Sequence, residues 1–505
     1  MVDFYSLPAV NVCGYSGKYR AAVLSTTLTW RNFMVSFCVA VAVLLFGYFI
    51  YAKVVEKIFG IKSADAAMPV YTKADGVDYV RISEKKALLI QFISIAGTGP
   101  IFGAIAGALW GPASFFWIVL GCVFAGATHD YMSGMLSVRQ DGATLGEIVG
   151  KHLGPVVKVT CQVFSIGLLI MVGAVFTMSP SDILATISPF PREVWMVIIM
   201  VYFAVATIIP INKLIAKIYP VFGAGMILLG VGMAVALFAT GNFTAIPEFK
   251  FNNPHPRGTM LFPYLFVTIA CGAISGFHAT QSPLMARCIG SEKEGRLVFY
   301  GAMIFEGFMA LIWAAVAMTF FPDGIEGLAN AGLPAQVVST ISFAFFGTVG
   351  GIISIICVGI FPISTGDTAL RASRLAIADA LKLEQASIKS RFLITVPLFA
   401  IVIALLFIDF TILWRYFAWM NQTLAVFTLW ASAVYLVRQK SFHWICTLPA
   451  VFMTFMTMSY IFVAKEGLGL PPQIGCGIGG AITVACITVF AKKCLFADSR
   501  RPAKP

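Results

Sequence analysis

Apolar runs of about the twenty residues needed to cross a bilayer recur along almost the whole chain. They restrict it to one class, the all-α polytopic membrane protein, because only helices satisfy every backbone polar group within a single segment of lipid-exposed chain. Thirteen runs can be drawn, at residues 32–52, 88–109, 113–137, 156–178, 193–211, 218–240, 260–285, 297–321, 341–365, 391–408, 413–437, 443–464 and 474–491. The stretches between them leave no room for a separate globular unit. Composition agrees: 59% of the 505 residues are hydrophobic and 11% charged, whereas soluble proteins average about 25% charged.

The formal net charge of +12 invites a nucleic-acid reading, but the basic residues sit in short loops between apolar runs, where membrane topology accounts for them. Most fall on one side if the N-terminus is outside: the segment 53–87, the segment 366–391 with Arg371, Arg374, Lys382, Lys389 and Arg391, and the tail with Lys492, Lys493, Arg500, Arg501 and Lys504. An odd number of spans then puts the C-terminus in the cytoplasm. Residues before Trp30 include Lys18 and Arg20 and do not match a cleavable signal, so the first span is expected to stay. The 11 cysteines contain no CxxC pair and read as packing residues, not as a disulfide or metal framework.

Two spans are interrupted. Residues Ile95-Ala96-Gly97-Thr98-Gly99-Pro100 place two glycines and a proline in mid-membrane, and Ala273-Ile274-Ser275-Gly276-Phe277-His278-Ala279-Thr280-Gln281-Ser282-Pro283 place a glycine, polar groups and a proline at comparable depth. Five spans run from the first interruption (88–240) and five from the second (260–437), so the two sets start with opposite orientation. That spacing predicts an inverted 5+5 repeat with a broken helix opening each half. Residues 1–87 would hold an accessory helix and a cytoplasmic segment, and 438–505 two more accessory helices and a cytoplasmic tail.

Unwound backbone in a membrane offers positive N-terminal and negative C-terminal helix ends to one site. Gly97, Thr98 and Gly99 from the first half and Ser275, Gly276, Phe277, His278 and Gln281 from the second are the candidate substrate-binding residues. Gly103 and Gly107 continue the four-residue spacing from Gly99 and read as close packing against a neighbouring helix. Ionisable residues inside spans are functional candidates. Glu306 can be a protonatable or ion-coupling carboxylate or a structural partner of His278, and His129 and Asp130 can gate, relay protons or make a buried hydrogen bond. Ser364, Thr365 and Thr368 can supply sodium ligands together with carbonyls of the first broken helix, or cap the basic helix that follows, where Asp367 is expected to cap. Arg415 is expected to snorkel or to pair with Asp409. Walker-type, HExxH and GxSxG motifs do not occur, so neither an enzyme nor ATP-driven transport within this chain is expected, and no cofactor is implied. The Asp75-Gly76 pair is a turn signal.

Several of these segments together carry a family resemblance. Ser94 to Gly103, Trp117 to Tyr131, Asp75 to Val80, Ser275 to Ala279, Glu306 to Phe308, Ser364 to Thr368 and Asn421 to Ala425 closely resemble the carbon starvation protein A family, over residues from about 30 to 440. The chain departs from the family pattern at Ile90 and Gln91, where members often carry paired histidines, and at Thr280 to Pro283. The resemblance implies a leucine-transporter-like fold and a secondary transporter of the bacterial inner membrane. It also implies uptake of small peptides under nutrient limitation, or alternatively proton-coupled uptake of pyruvate. Proton or sodium would drive it, by alternating access between the two halves. A channel or a nutrient-sensing receptor is the rival class.

Overall fold

The computed structural model describes residues 34–61, 68–75, 78–208, 212–383 and 388–495, with 212–220, 379 and 388 described by backbone alone. Lys18, Arg20, Trp30, Gly76, Arg500, Arg501 and Lys504 lie outside the described residues. Sixteen helices carry the architecture. They are α1 (Val35–Phe59), α2 (Glu84–Ala96), α3 (Gly99–Trp110), α4 (Ala113–Val138), α5 (Leu145–Leu153), α6 (Pro155–Leu184), α7 (Arg192–Ile208) and α8 (Asn212–Ala239). After a loop come α9 (Tyr264–Thr268), α10 (Phe277–Ala286), α11 (Glu292–Phe320), α12 (Pro334–Leu381), α13 (Ile388–Leu405), α14 (Phe410–Arg438), α15 (Trp444–Val463) and α16 (Pro472–Leu495).

Each predicted apolar run falls on one of these helices or on a broken pair. Among the described residues, nine helices are long and apolar enough to cross a membrane by themselves, ten if the α2–α3 pair is one bent span. The expectation of thirteen is met in helical units, but not all pass that test: α7 has 17 residues, and α9 and α10 are halves of 5 and 10 residues. The outer faces expose Val163, Val197, Val201, Leu228, Val235 and Leu393. Large side chains such as Trp313, Tyr131 and Tyr300 are fully buried among the helices. Apolar groups thus line both the interior and the periphery, as lipid allows and water does not.

The first break has a local cause. Gly97 adopts φ 50°, ψ −146°, a conformation open to glycine but strained for other residues. Pro100 sits in the first turn of α3, where its missing N–H costs nothing. The two halves bend by 50°. The second break is displaced from its expected position. The unwound stretch is 269–276, and Phe277, His278 and Gln281 belong to α10. Pro283 lies inside α10 without ending it; it removes one backbone donor, and the helix runs on around the missing bond. The helices following the two breaks, α4 and α11, contain π-helical turns at Gly121–Gly126 and Arg296–Gly301.

Two further expectations are corrected. Asp367 does not cap a helix, because α12 continues past it to Leu381; its carboxylate instead meets Arg371 one turn on, at 3.2 Å. Arg415 pairs with Glu466 at 2.9 Å, while Asp409 caps α14 through the amides of Thr411 and Ile412. The chain folds back after α15 and brings Glu466 over Arg415, a contact of 51 residues' separation that no local pattern announces. Asp75 accepts from the amides of Asp78 and Tyr79 at 2.9 Å.

The accessory helix α1 is fastened from a distance. Glu248, in the loop before α9, accepts from the amides of Val35 (2.5 Å) and Ser36 (3.0 Å) and from the Ser36 hydroxyl (2.5 Å). Those amides are orphans of the first turn of α1 and attract a negative charge. Burial pushes the Glu248 carboxyl up, but the hydrogen bonds from Ser36 and Val35 outweigh it and leave the group below the usual carboxylate range. A lowered folded-state pKa contributes stability above the unfolded value that is lost as pH falls through the folded one. The protection factors of the Val35 and Ser36 amides are therefore expected to fall about two- to fivefold in Glu248→Gln, and in the unsubstituted chain as pH falls below the usual carboxylate range. Unchanged relative protection in both experiments would remove this role.

Candidate functional site

The two breaks close on each other. A Cβ added at Gly99 would fall on the Cys271 side chain, and one added at Gly103 would lie 3.0 Å from the Thr268 carbonyl. Gly107 abuts Ile269 in the same way. The glycine spacing of α3 therefore seats that half-helix against the unwound stretch of the other repeat half, as close packing requires. On the other side Gly97 backs onto the Phe176 ring, 2.6 Å from where a Cβ would stand. Thr98 Oγ1 is 3.4 Å from Ser179 Oγ on α6.

Asn421, on α14, satisfies the second break. Its Oδ1 accepts from Ser275 Oγ at 3.0 Å and from the Phe277 amide at 2.7 Å, its main-chain oxygen accepts from the Gly276 amide at 3.0 Å, and its Nδ2 donates to Cys271 Sγ at 3.4 Å. Gly276 must be glycine here, since a Cβ would collide with the Asn421 carbonyl and the Ala425 amide. Gln422 adds a bond from Nε2 to the Phe266 carbonyl at 2.7 Å. Neither Asn421 nor Cys271 was expected in the site. An Asn-Gln pair inside an apolar run was the available signal, because polar side chains at that depth have partners to serve.

Beside this break the structure assembles four buried ionisable residues into one chain. His129 Nδ1 is 2.7 Å from Asp130 Oδ1, Asp130 Oδ2 is 2.8 Å from His278 Nδ1, and His278 Nε2 is 3.3 Å from Glu306 Oε2. All four side chains are fully buried. Asp130 comes from α4, His278 from the first turn of α10 and Glu306 from α11. The expected pairing of Glu306 with His278 is present, and Asp130 joins it from the other half. Gln281, one turn along α10, donates from Nε2 to Thr280 Oγ1 at 2.9 Å.

Ser364, Thr365 and Thr368 form a second group on α12. Ser364 Oγ donates to the Phe361 carbonyl at 2.7 Å and Thr368 Oγ1 to that of Thr365 at 2.9 Å, both within their own helix. They do not cap, since the helix does not start there. Thr365 Oγ1 is shared between the Phe361 carbonyl at 3.2 Å and the Ile93 carbonyl at 3.3 Å. Ile93 lies in the last turn of α2, where carbonyls lack helical partners and the dipole is negative. Hydroxyl and carbonyl oxygens thus gather where the first helix breaks.

A cavity of about 1070 Å³ opens at the end of the bundle where α3 finishes and α14 starts. Trp110, Tyr264, Thr268 and Trp414 line it, together with the cations Arg257, Arg415 and Lys465 and the anion Glu466. Thr268 is the last helical residue before the second break, so the cavity reaches toward it. The opposite end is tied together. Arg139 grips Glu292 through two bonds of 2.9 Å, Tyr435 Oη at 2.5 Å and the Gly60 carbonyl at 2.6 Å, with the Phe59 ring 4.0 Å away. Arg296 holds Glu56 at 2.7 Å.

The family model described as carbon starvation protein CstA matches residues 32–191 and 178–339. The chain belongs to the carbon starvation protein CstA family. Within it, a membrane protein of Haemophilus influenzae is 41% identical over 59% of this chain and 95% of its own length. The peptide transporter CstA of Escherichia coli is 23% identical over 83% of this chain and 79% of that one. The pyruvate/proton symporter BtsT of the same organism is 28% identical, over 51% of this chain and 45% of that one. In fold, this CstA-family chain is similar to MhsT crystallised with L-phenylalanine, with a TM-score of 0.54 and 12% identity, covering 79% of this chain and 98% of that one. That likeness is to a leucine-transporter-fold protein and agrees with the inverted 5+5 reading.

Because the Asn421 side chain holds two donors of the second break, Asn421→Ala is expected to lower the initial rate of uptake about five- to 150-fold, a loss of about 1–3 kcal/mol of polar satisfaction. The variant should insert and elute as the unsubstituted protein does. An uptake rate within twofold, measured in vesicles, would remove Asn421 from the site.

Proposed function

We propose that this CstA-family transporter takes up small peptides by ion-driven alternating access, with the substrate held between the two broken helices. The observation that carries the reading is the cavity leading to the second break, which offers cations and an anion together. A zwitterionic peptide has a carboxylate for Arg257 or Lys465 and, by exchanging partners with the Arg415–Glu466 pair, an ammonium group for Glu466. A volume of about 1070 Å³ is ample for a di- or tripeptide. On the positive-inside orientation, N-terminus out and C-terminus in, this cavity faces the exterior of the bacterial inner membrane and the Arg139 ties face the cytoplasm. The substrate then passes to Gly97, Thr98 and Gly99 on one side and to Ser275, Gly276, Phe277, His278 and Gln281 on the other. Rocking of residues 88–240 against 260–437 would release it inward.

Sodium is the driving ion best supported by the oxygen group at Ser364, Thr365 and the Ile93 carbonyl, because a hard cation takes several oxygen ligands and favours a helix C-terminus. Its binding would hold α12 against the end of α2 and so couple one half to the other. Proton-coupled pyruvate uptake is the second reading, favoured by the relative named as a pyruvate/proton symporter.

Proteoliposomes given labelled dipeptide or pyruvate, under an imposed sodium or proton gradient, separate these readings. Dipeptide accumulation that follows sodium is expected, and Thr365→Ala should raise the sodium concentration for half-maximal uptake about tenfold. Pyruvate accumulation under a pH gradient alone would establish the second reading. Binding without accumulation of either would point to a sensor, and gradient-independent ion current to a channel. Gly97→Leu, which must abandon φ 50° and meet Phe176, should insert but not transport; normal uptake would sink the broken-helix site.

A further inference from the structure

We propose that Cys271, His278 and Glu306 form a three-ligand site for a borderline-soft divalent cation of the zinc type, at the junction of the two repeat halves. Cys271 Sγ, a ring nitrogen of His278 and a carboxylate oxygen of Glu306 lie within 4.8 Å of one another, and all three residues are buried. The cysteines had read as packing residues from sequence; this one is 3% exposed and packs in the core, but its sulfur also lies near a histidine and a carboxylate.

Four features point to a metal. First, the nitrogen is chosen: His278 Nδ1 is engaged by Asp130 Oδ2 at 2.8 Å, which leaves Nε2 to face the sulfur and Glu306. A histidine oriented through its other nitrogen by a carboxylate is the usual support of a metal ligand. Asp130 is itself held by His129 at 2.7 Å. Second, Nε2 and both Glu306 oxygens make no hydrogen bond of normal geometry among the described residues, although they are fully buried. Buried polar atoms are otherwise satisfied, so three orphans around one point ask for a ligand.

Third, the spacing of the nitrogen and the carboxylate suits coordination better than a close ion pair. Nε2 and Glu306 Oε2 are 3.3 Å apart, longer than the ~2.7–2.9 Å of a charge-assisted hydrogen bond. Two ligand atoms, each ~2.0–2.1 Å from a tetrahedral zinc, stand about 3.3–3.4 Å apart. Fourth, the ligand charges match the ion: a thiolate and a carboxylate cancel a divalent cation, while the Asp130 carboxylate is shared between His278 and His129. On binding, the thiol proton leaves to solvent and no electron moves. The Asn421 Nδ2–H, 3.4 Å from the sulfur, supports the thiolate. Three protein ligands leave a fourth position, as in sites that exchange water for another ligand. Gly99 packs against Cys271, so the ion would sit beside the first break as well.

The full chain, purified in detergent and stripped with a chelator, is titrated with Co²⁺ and then with Zn²⁺. The expected result is one ion per chain, with a sulfur-to-cobalt charge-transfer band in the near ultraviolet that Zn²⁺ abolishes. Cys271→Ser should lose the band, and Glu306→Gln and His278→Gln should weaken binding about 100-fold or more. Asp130→Asn, acting through His278, should keep the band and weaken binding about 10- to 100-fold. Cys161→Ser, on α6, should change nothing. Absence of the band in the unsubstituted chain, or its survival in Cys271→Ser, would overturn the site. Should Cys271→Ser fail to fold, alkylation of Cys271 in the unsubstituted chain, read by mass spectrometry with and without Zn²⁺, decides; no protection by Zn²⁺ overturns the proposal.

Discussion

Every backbone N–H and C=O that leaves a helix inside a bilayer must find a partner in the protein, and this requirement governs the arrangement of the whole molecule. Two helices are broken near mid-depth, so the breaks can exist only where something else serves them. Asn421 does so for the second, with one side chain and its own carbonyl occupying the Gly276 and Phe277 amides and the Ser275 hydroxyl. The first break lies against Cys271, Phe176 and the Thr365 hydroxyl's neighbourhood on α12. Each break is served from its own half and also packs on the other, Gly99 on Cys271 and the end of α2 on Thr365, so the halves cannot be described independently.

The same constraint collects the charges. A carboxylate alone in this interior would be very costly, and Asp130 and Glu306 come to rest on either side of His278. A histidine at the start of a half-helix is well suited to this, since its two ring nitrogens face opposite ways and can serve two carboxylates on different helices. Polar function in this protein is therefore concentrated in a small volume where α4, α10, α11, α14 and the start of α3 meet. The cavity with its mixed charges approaches that volume from one end, and the Arg139 and Arg296 ties close the other.

The local part of this arrangement was legible in advance. Hydropathy marked where helices lie, and Gly97, Gly99 and Pro100 marked the first interruption, because φ near 50° and a missing N–H are properties of those residues themselves. The second interruption was found but misplaced toward Pro283. A proline signals only that a bond is absent; whether the chain unwinds there depends on where a substitute partner stands, and Asn421 stands by 275–277. Asp367 was misread for a similar reason. A hydroxyl-rich, glycine-containing stretch suits a cap, yet packing carries α12 straight through it. Arg415 offered two readings by proximity, and its true partner Glu466 arrives from beyond the next helix.

The sequence by itself determined that this is a helical membrane protein of two inverted halves, each opened by a helix that cannot continue, because hydrophobic length and backbone chemistry are local quantities. Only the tertiary structure decided which side chains answer one another: Asn421 to the second break, Asp130 and Glu306 to the two faces of His278, Cys271 to Gly99, Thr365 to Ile93. Those pairings join residues 28 to 272 positions apart in the chain. At such separations side-chain periodicity carries no information, and the partner is set by how apolar helices pack and by the cost of leaving a polar group alone in lipid.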